Sequence, residues 1–260
     1  MSEDAPRLHH DRNRAGSFGE DAEQYDRIRP PYPAELIDRL LSDAPRTVLD
    51  VGCGTGIAAR LFMARGCEVL GLEPDPRMAA VARRRGVPVE DGSIEEWSAG
   101  DRRFDLLTAG QSWHWVDPIV GAAKAAIVLR PGGRFGLFWN QAQPQGEALV
   151  AVERAYERHA PDLGRQSVLL GQRDVSIYES IAEAFRADGG FTEVTLEMFG
   201  HDQVYPTEMW LELAGTHSDH RALPPEQLEA LLASLRRRID EVGGQVPVRY
   251  ETTLVTGRSR

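Results

Sequence analysis

Cysteine is nearly absent from this chain: Cys53 and Cys67 are the two among 260 residues. Cys53 sits in a glycine-rich turn and Cys67 opens an apolar stretch, so neither belongs to a disulfide framework, and a reducing cytosol is expected. Long apolar runs are missing as well. Nothing approaches the roughly 18 residues of a membrane span, so no membrane-spanning helix and no membrane association are expected. MSEDAPRLHHDRNRAGS, residues 1–17, lacks the apolar centre of a signal peptide and reads as a disordered tail. Positive charge is also short, with 30 Lys and Arg against 40 Asp and Glu and a formal net charge of −10. Nucleic acid as a main partner would need a basic stripe. The runs ARRRG (82–86) and LRRRID (235–240) read instead as solvated helix faces.

What is present is a rhythm. RTVLDVG (46–52), CEVLGLE (67–73), VPVEDG (87–92), FDLLTAG (104–110) and RFGLFWN (134–140) read as strands. Between them lie the helical patterns IAARLFMARG, PRMAAVARRRG and PIVGAAKAAIVL, the last stopped by RPGG (130–133). Strands alternating with helices of this length predict right-handed crossovers and a doubly wound, mainly parallel α/β sheet. The strands are nearly continuously apolar, as burial on both faces requires. After residue 141 the pattern changes to helices at GEALVAVERAYERHA, SIYESIAEAFRA, TEMWLELAG and EQLEALLASLRRRIDEV. The last carries an apolar stripe of Leu228, Leu231, Leu232, Leu235, Ile239 and Val242. Two strands are expected late, at FTEVTLEMFG (191–200) and VRYETTLVTGR (248–258). The division is thus a tail (1–17), a nucleoside-binding core with N-terminal cap helices (18–140), and a region of helical insertions plus the closing strands of the same sheet (141–260).

VLDVGCGTG (48–56) is the most specific signal. A strand runs into Gly52, Gly54 and Gly56, and a helix follows; glycines here let a ligand meet the main chain without a Cβ in the way. Glu73 ends the next strand, placed to accept both hydroxyls of a ribose. The spacing G-x-G-x-G, with Asp50 two residues before the first glycine, differs from the dinucleotide pattern G-x-G-x-x-G. A carboxylate that close repels a pyrophosphate and suits a cation. S-adenosylmethionine (SAM) has an ammonium, a sulfonium and a ribose and no phosphate, so the turn favours it over NAD.

At these residues the chain resembles the class I SAM-dependent methyltransferases. FGEDAEQYDRIRPPYPAELIDRL (18–40), DGSIEEW (91–97) and AGQSWHWVD (109–117) are similar to the small-molecule branch of methyltransferase type 11, which includes the trans-aconitate methyltransferase-like proteins. The resemblance implies a seven-stranded sheet with an antiparallel closing strand, a helical lid, and S-adenosylhomocysteine as product. It implies that Asp50, Gly52, Gly54 and Gly56 line the methionine end of SAM, that Glu73 holds the ribose, and that Pro74 touches the adenine. Ser93 and Ile94 fall where the family reads the adenine edge; serine replaces the usual aspartate, with Asp91 and Glu95 as alternative acids. Tyr25 and Arg29 are expected to fold over the cofactor. PPY (30–32) shares letters with an N-methyltransferase motif that follows the fourth strand; here it precedes the first strand and carries no such role.

Ligands of a doubly wound sheet bind outside the strand ends near the switch point, which puts QSWHW (111–115) where a methyl group is delivered. Gln111 is expected at the cofactor, with Trp113, His114 and Trp115 as a floor and Trp139 and Asn140 beside them. His114 is the candidate for proton transfer, with positioning or packing as its alternative, and Tyr178, Tyr205, Trp210 and His217 are lid candidates for the acceptor. His217 and His220 are three apart in GTHSDHRAL, which reads as a turn, and no third ligand follows, so no metal is expected. The reading is methyl transfer to a small-molecule carboxylate or hydroxyl, with oligomeric state open. A SAM-binding protein without transfer and an NAD-dependent oxidoreductase stand as alternatives.

Overall fold

The computed structural model describes residues 21–165, 167–171 and 176–260. The tail expected over 1–17 lies outside the described residues. In chain order the elements are α1 (Ala22–Ile28), α2 (Ala34–Leu40), β1 (Thr47–Val51), α3 (Ile57–Met63), β2 (Glu68–Glu73), α4 (Pro76–Arg84), β3 (Val89–Asp91) and β4 (Phe104–Gly110). There follow α5 (Pro118–Val128), β5 (Leu129–Pro144), α6 (Gly146–His159), α7 (Pro161–Gly164) and α8 (Ser176–Asp188). The chain closes with β6 (Phe191–Pro206), α9 (Thr207–Gly215), α10 (Ser218–Arg221), α11 (Pro225–Glu241) and β7 (Gln245–Ser259).

Local chemistry sets the helix starts. Asp75 accepts the Arg77 N–H and Asp117 accepts those of Ile119 and Val120, each just ahead of a proline in the first turn. Both are side-chain caps followed by the residue that needs no N–H there.

The seven strands order as β3-β2-β1-β4-β5-β7-β6, with β7 antiparallel to both neighbours and the first five parallel. One core lies between the sheet and α5 and α8, around Trp113, Trp139, Tyr178 and Phe185. The opposite face packs on α2 and α3 through Leu36, Ile37, Leu40, Ala59 and Phe62. The stripe of α11 buries Leu231, Leu235 and Ile239 in a third core, beside α6 and α9.

Three expectations need correction. RPGG does not separate α5 from a strand; β5 begins at Leu129, and the glycines are taken up where the β4–β5 register shifts between Phe104 and Leu106. A bulge absorbs the extra residues that a turn would have used. The late strands run longer than expected, 16 residues in β5 and β6 and 15 in β7. Their upper ends are buried by the third core, through Ala142, Tyr205, Val246, Val248 and Tyr250. GTHSDHRAL contains the one-turn helix α10 rather than a turn alone.

Candidate active site

The switch point falls between β1 and β4, whose carboxyl ends carry the glycine turn and QSWHW. Gly52, Gly54 and Gly56 all have positive φ, at 63°, 58° and 84°. The turn is stitched to β2: the N–H groups of Gly52 and Cys53 donate to the Leu72 carbonyl at 2.7 and 3.2 Å. Glu73 is 7 % exposed and completes the seam. One carboxylate oxygen accepts the Gly54 N–H at 2.8 Å, and the other accepts the Asp75 N–H at 2.9 Å. A Cβ on Gly52 would lie 2.5 Å from the Ser112 Cβ, and the Ser112 hydroxyl is itself held by the Val51 carbonyl at 2.6 Å. Gly52→Ala therefore combines left-handed strain with overpacking. The expected loss in urea unfolding is roughly 2–4 kcal/mol.

Asp50 is fully buried. One of its oxygens accepts the Thr108 hydroxyl at 2.8 Å; the other has no partner. Burial pushes its pKa up to about 7, against the hydrogen bond from Thr108. Glu73 is likewise raised to about 7 by burial, in spite of its two backbone donors and helped by Asp75 and Asp50. Among the described residues neither acid has an ion-pair partner. Two desolvated acids and an orphaned acceptor beside a glycine turn are complementary to a cation bearing hydroxyls. The residues fit SAM.

The N-terminal segment reaches residues late in the chain. The Arg29 guanidinium stacks on the Tyr25 ring at 4.7 Å, donates to the Thr216 carbonyl at 2.8 Å and reaches His217 Nε2 at 3.3 Å. Cap and lid thus meet through residues expected separately at cofactor and acceptor. Pro31 accepts from the Asn140 amide at 3.1 Å, and Gln111 donates to the Asn140 carbonyl at 3.1 Å. Sequence reading missed Tyr32. The PPY letters hold no motif, but Tyr32 folds onto the end of β4, where its hydroxyl occupies the space a Gly110 side chain would need. Burial raises its pKa, followed by Tyr25 and Asp50. The available signal was Gly110 itself, a small residue at a strand end that marks a close approach. Thr108 was missed too, because its function is to hold Asp50.

QSWHW divides by burial. Trp113 is 1 % exposed and belongs to the core, against Gly121 and Phe185, so it is not floor. Gln111 has φ of 58°, a strained value for this residue type, and its N–H donates to the Phe138 carbonyl at 2.8 Å. His114 and Trp115 are half-buried with rings 4.9 Å apart. Trp139 is fully buried and its indole N–H donates to His114 Nδ1 at 3.0 Å. The indole only donates, so Nδ1 is the bare nitrogen and the neutral ring carries its proton on Nε2.

Other expectations sort the same way. Trp210 is core between lid helices, and Tyr178 packs on Trp139 at 4.8 Å in the core. Neither is a surface for an acceptor. Tyr205 shares a hydroxyl contact of 3.0 Å with Tyr250 in the lid core. Ile94 is buried, so only its backbone can face an adenine; Pro74 is exposed and Ser93 half-buried. Asp91 pairs with Arg83 at 2.8 Å and Glu95 accepts the Asp117 N–H at 3.2 Å, which engages both alternative acids. His220 lies between Asp219 at 2.7 Å and Tyr156 at 2.5 Å. Among the described residues no three His, Cys, Asp or Glu side chains gather as a metal site.

Comparison with known proteins agrees with this geometry. A family model described as a methyltransferase domain matches residues 49–137. Over 127 residues the chain is 44% identical to an uncharacterized methyltransferase of Mycobacterium tuberculosis, covering 48% of this chain and 52% of that protein. It therefore spans about half the length of that relative. A trans-aconitate 2-methyltransferase of Acidovorax sp. is 30% identical over 220 residues, 80% of this chain and 82% of that one. A solved structure from Anaeromyxobacter dehalogenans, described as a type II methyltransferase, superposes with a TM-score of 0.65 at 23% identity over 88% of this chain and 97% of that one. That likeness establishes the seven-stranded Rossmann-like fold. With the acids at successive strand ends and a relative matched along most of its length, the chain belongs to the class I SAM-dependent methyltransferases.

Proposed function

We propose that the protein methylates a carboxylate oxygen of a small molecule. The observation that carries this is the state of the two site histidines. His114 Nδ1 accepts the Trp139 indole proton, and His217 Nε2 faces the Arg29 guanidinium, which can only donate. Each ring spends a basic nitrogen on a protein donor. An alcohol or phenol needs a base to remove its proton. A carboxylate arrives with its lone pair ready.

SAM, when bound, supplies a methyl group on a sulfonium, open to in-line displacement by that lone pair. The chain's own residues orient and enclose. Glu73 and the glycine turn hold the nucleoside, and Asp50 faces the ammonium end. Tyr25 and Arg29 cover the crevice, and Trp115, His114 and Tyr32 border the space where the acceptor meets the methyl. His114 Nε2–H is a donor suited to the second carboxylate oxygen. It is thus a positioning group rather than a base. We also place the protein in the cytosol, with a small acceptor and no nucleic acid. Support comes from two free thiols, the net charge of −10, and the lack, among the described residues, of a helix long and apolar enough to cross a membrane.

The test is a panel of small carboxylic acids, alcohols and phenols, read by S-adenosylhomocysteine formation. Turnover is expected with acids alone, and at saturating SAM its rate should be independent of pH above the acceptor's own pKa. Turnover confined to alcohols would overturn the reading. His114→Ala is expected to leave S-adenosylhomocysteine affinity within about twofold and to lower kcat by about 10- to 100-fold, the loss of one hydrogen bond to a charged group. An equal loss of affinity would assign His114 a structural role.

A further inference from the structure

Asp26 has no part in the contacts described so far, yet it is among the most enclosed acids on the outside of the sheet. It belongs to α1, a seven-residue helix too short to hold itself together in water. Apolar contact anchors its two ends: Ala22 and Tyr25 rest on Met78 and Val81 of α4, and Ile28 is buried in the third core. The Asp26 side chain is 5 % exposed, and both of its oxygens are engaged. One accepts from Arg60 Nη2 at 2.8 Å and the other from Arg85 Nε at 3.0 Å. Arg60 turns its second nitrogen to the Thr55 carbonyl at 3.0 Å, inside the glycine turn between Gly54 and Gly56. A continuous link therefore runs from α1 through one carboxylate and one guanidinium fork to the turn that cradles the cofactor. The flanking pairs of Glu23 with Arg84 and Arg85, and of Arg27 with Glu212, are solvent-exposed and contribute little.

We infer that Asp26 is a positioning residue for cofactor binding: by fastening α1 to the glycine turn it sets Tyr25 and Arg29 across the crevice, against Thr216 and His217 of the lid. The inference rests on the cofactor assignment of that turn. Tyr25 precedes Asp26 directly and Arg29 follows within one turn, so a shift of α1 moves both. The same shift breaks the contacts at 2.8 and 3.3 Å that join cap to lid. Arg60 is the matching half, because its fork geometry serves the carboxylate and the carbonyl together; lysine would keep the charge and lose one of the two.

Calorimetry with S-adenosylhomocysteine on the 260-residue chain tests this. Asp26→Asn is expected to raise Kd about tenfold, and Asp26→Glu to recover part of the loss. Hydrogen exchange should rise across residues 22–28 and stay unchanged in β1 and β4. Arg29→Met alone should also weaken binding, and the double variant should bind no worse than the weaker single, since Arg29 acts only when α1 is fastened. Arg60→Lys reads the same link if Asp26→Asn proves poorly soluble. A wild-type protein that binds while Asp26→Asn binds within twofold of it, or strictly additive losses, would overturn the inference alone. A wild-type protein that does not bind at all would overturn the cofactor assignment.

Discussion

Glu73→Gln is expected to lose most of the affinity for S-adenosylhomocysteine, a rise in Kd of about 10- to 100-fold. The carboxylate accepts one backbone N–H at each oxygen, from Gly54 and from Asp75. An amide can accept at one side only; its NH2 group would face the other N–H, donor against donor. The turn must then shift, and the remaining lone pairs that would accept ribose hydroxyls go with it. Each charge-assisted bond lost is worth about 1.5–3 kcal/mol, which sets the range. Isothermal calorimetry checks it. The stability of the protein without ligand should fall much less than the affinity, because the variant no longer buries an acid whose pKa is pushed up to about 7. A variant that binds normally would remove Glu73 from the ribose site and leave it a structural staple for the turn.

The second expected result concerns Asp50 and runs in opposite directions for folding and for binding. Asp50 and Glu73 are both raised to about 7 from ordinary values of 3.8 and 4.5. Between about pH 4 and pH 7 the folded chain keeps protons that the unfolded chain has released. Their favourable contribution is therefore complete below about pH 4 and is lost as pH rises through about 7. His201, lowered by burial and then by Arg249, tilts stability the other way below its ordinary value. The clean readout is accordingly a difference between wild type and variant. Asp50→Asn should match wild type near pH 5 and be more stable near pH 8 by roughly 1–3 kcal/mol. That is less than the full cost of burying the charge, because the new amide nitrogen inherits the place of an oxygen without a partner. The same variant should bind S-adenosylhomocysteine more weakly at pH 8, where the ionised acid faces the ammonium. In the wild type, binding should release protons near pH 7 and tighten as pH rises from 6 to 8, visible as a buffer-dependent heat. A variant no more stable than wild type at pH 8 would show that Asp50 carries no buried charge.

The sequence by itself determined the architecture and the cofactor corner. Strand runs such as CEVLGLE are apolar on both faces only when helices cover both, and the G-x-G-x-G turn with Asp50 and Glu73 at successive strand ends favours a sulfonium nucleoside over a dinucleotide. These are local patterns, set by period and by residues a few positions apart. Tertiary structure alone decided the rest, because it depends on groups far apart in the chain. Trp113 and Trp115 look alike in sequence, yet Gly121 and Phe185 make one of them core. The proton of His114 is assigned by Trp139, 25 residues away, and Arg29 meets the lid across 187 residues at Thr216. Tyr32 reaches the site only because Gly110 leaves room for it. Period reports which face of an element is buried; which polar atom faces which is settled only when the elements pack.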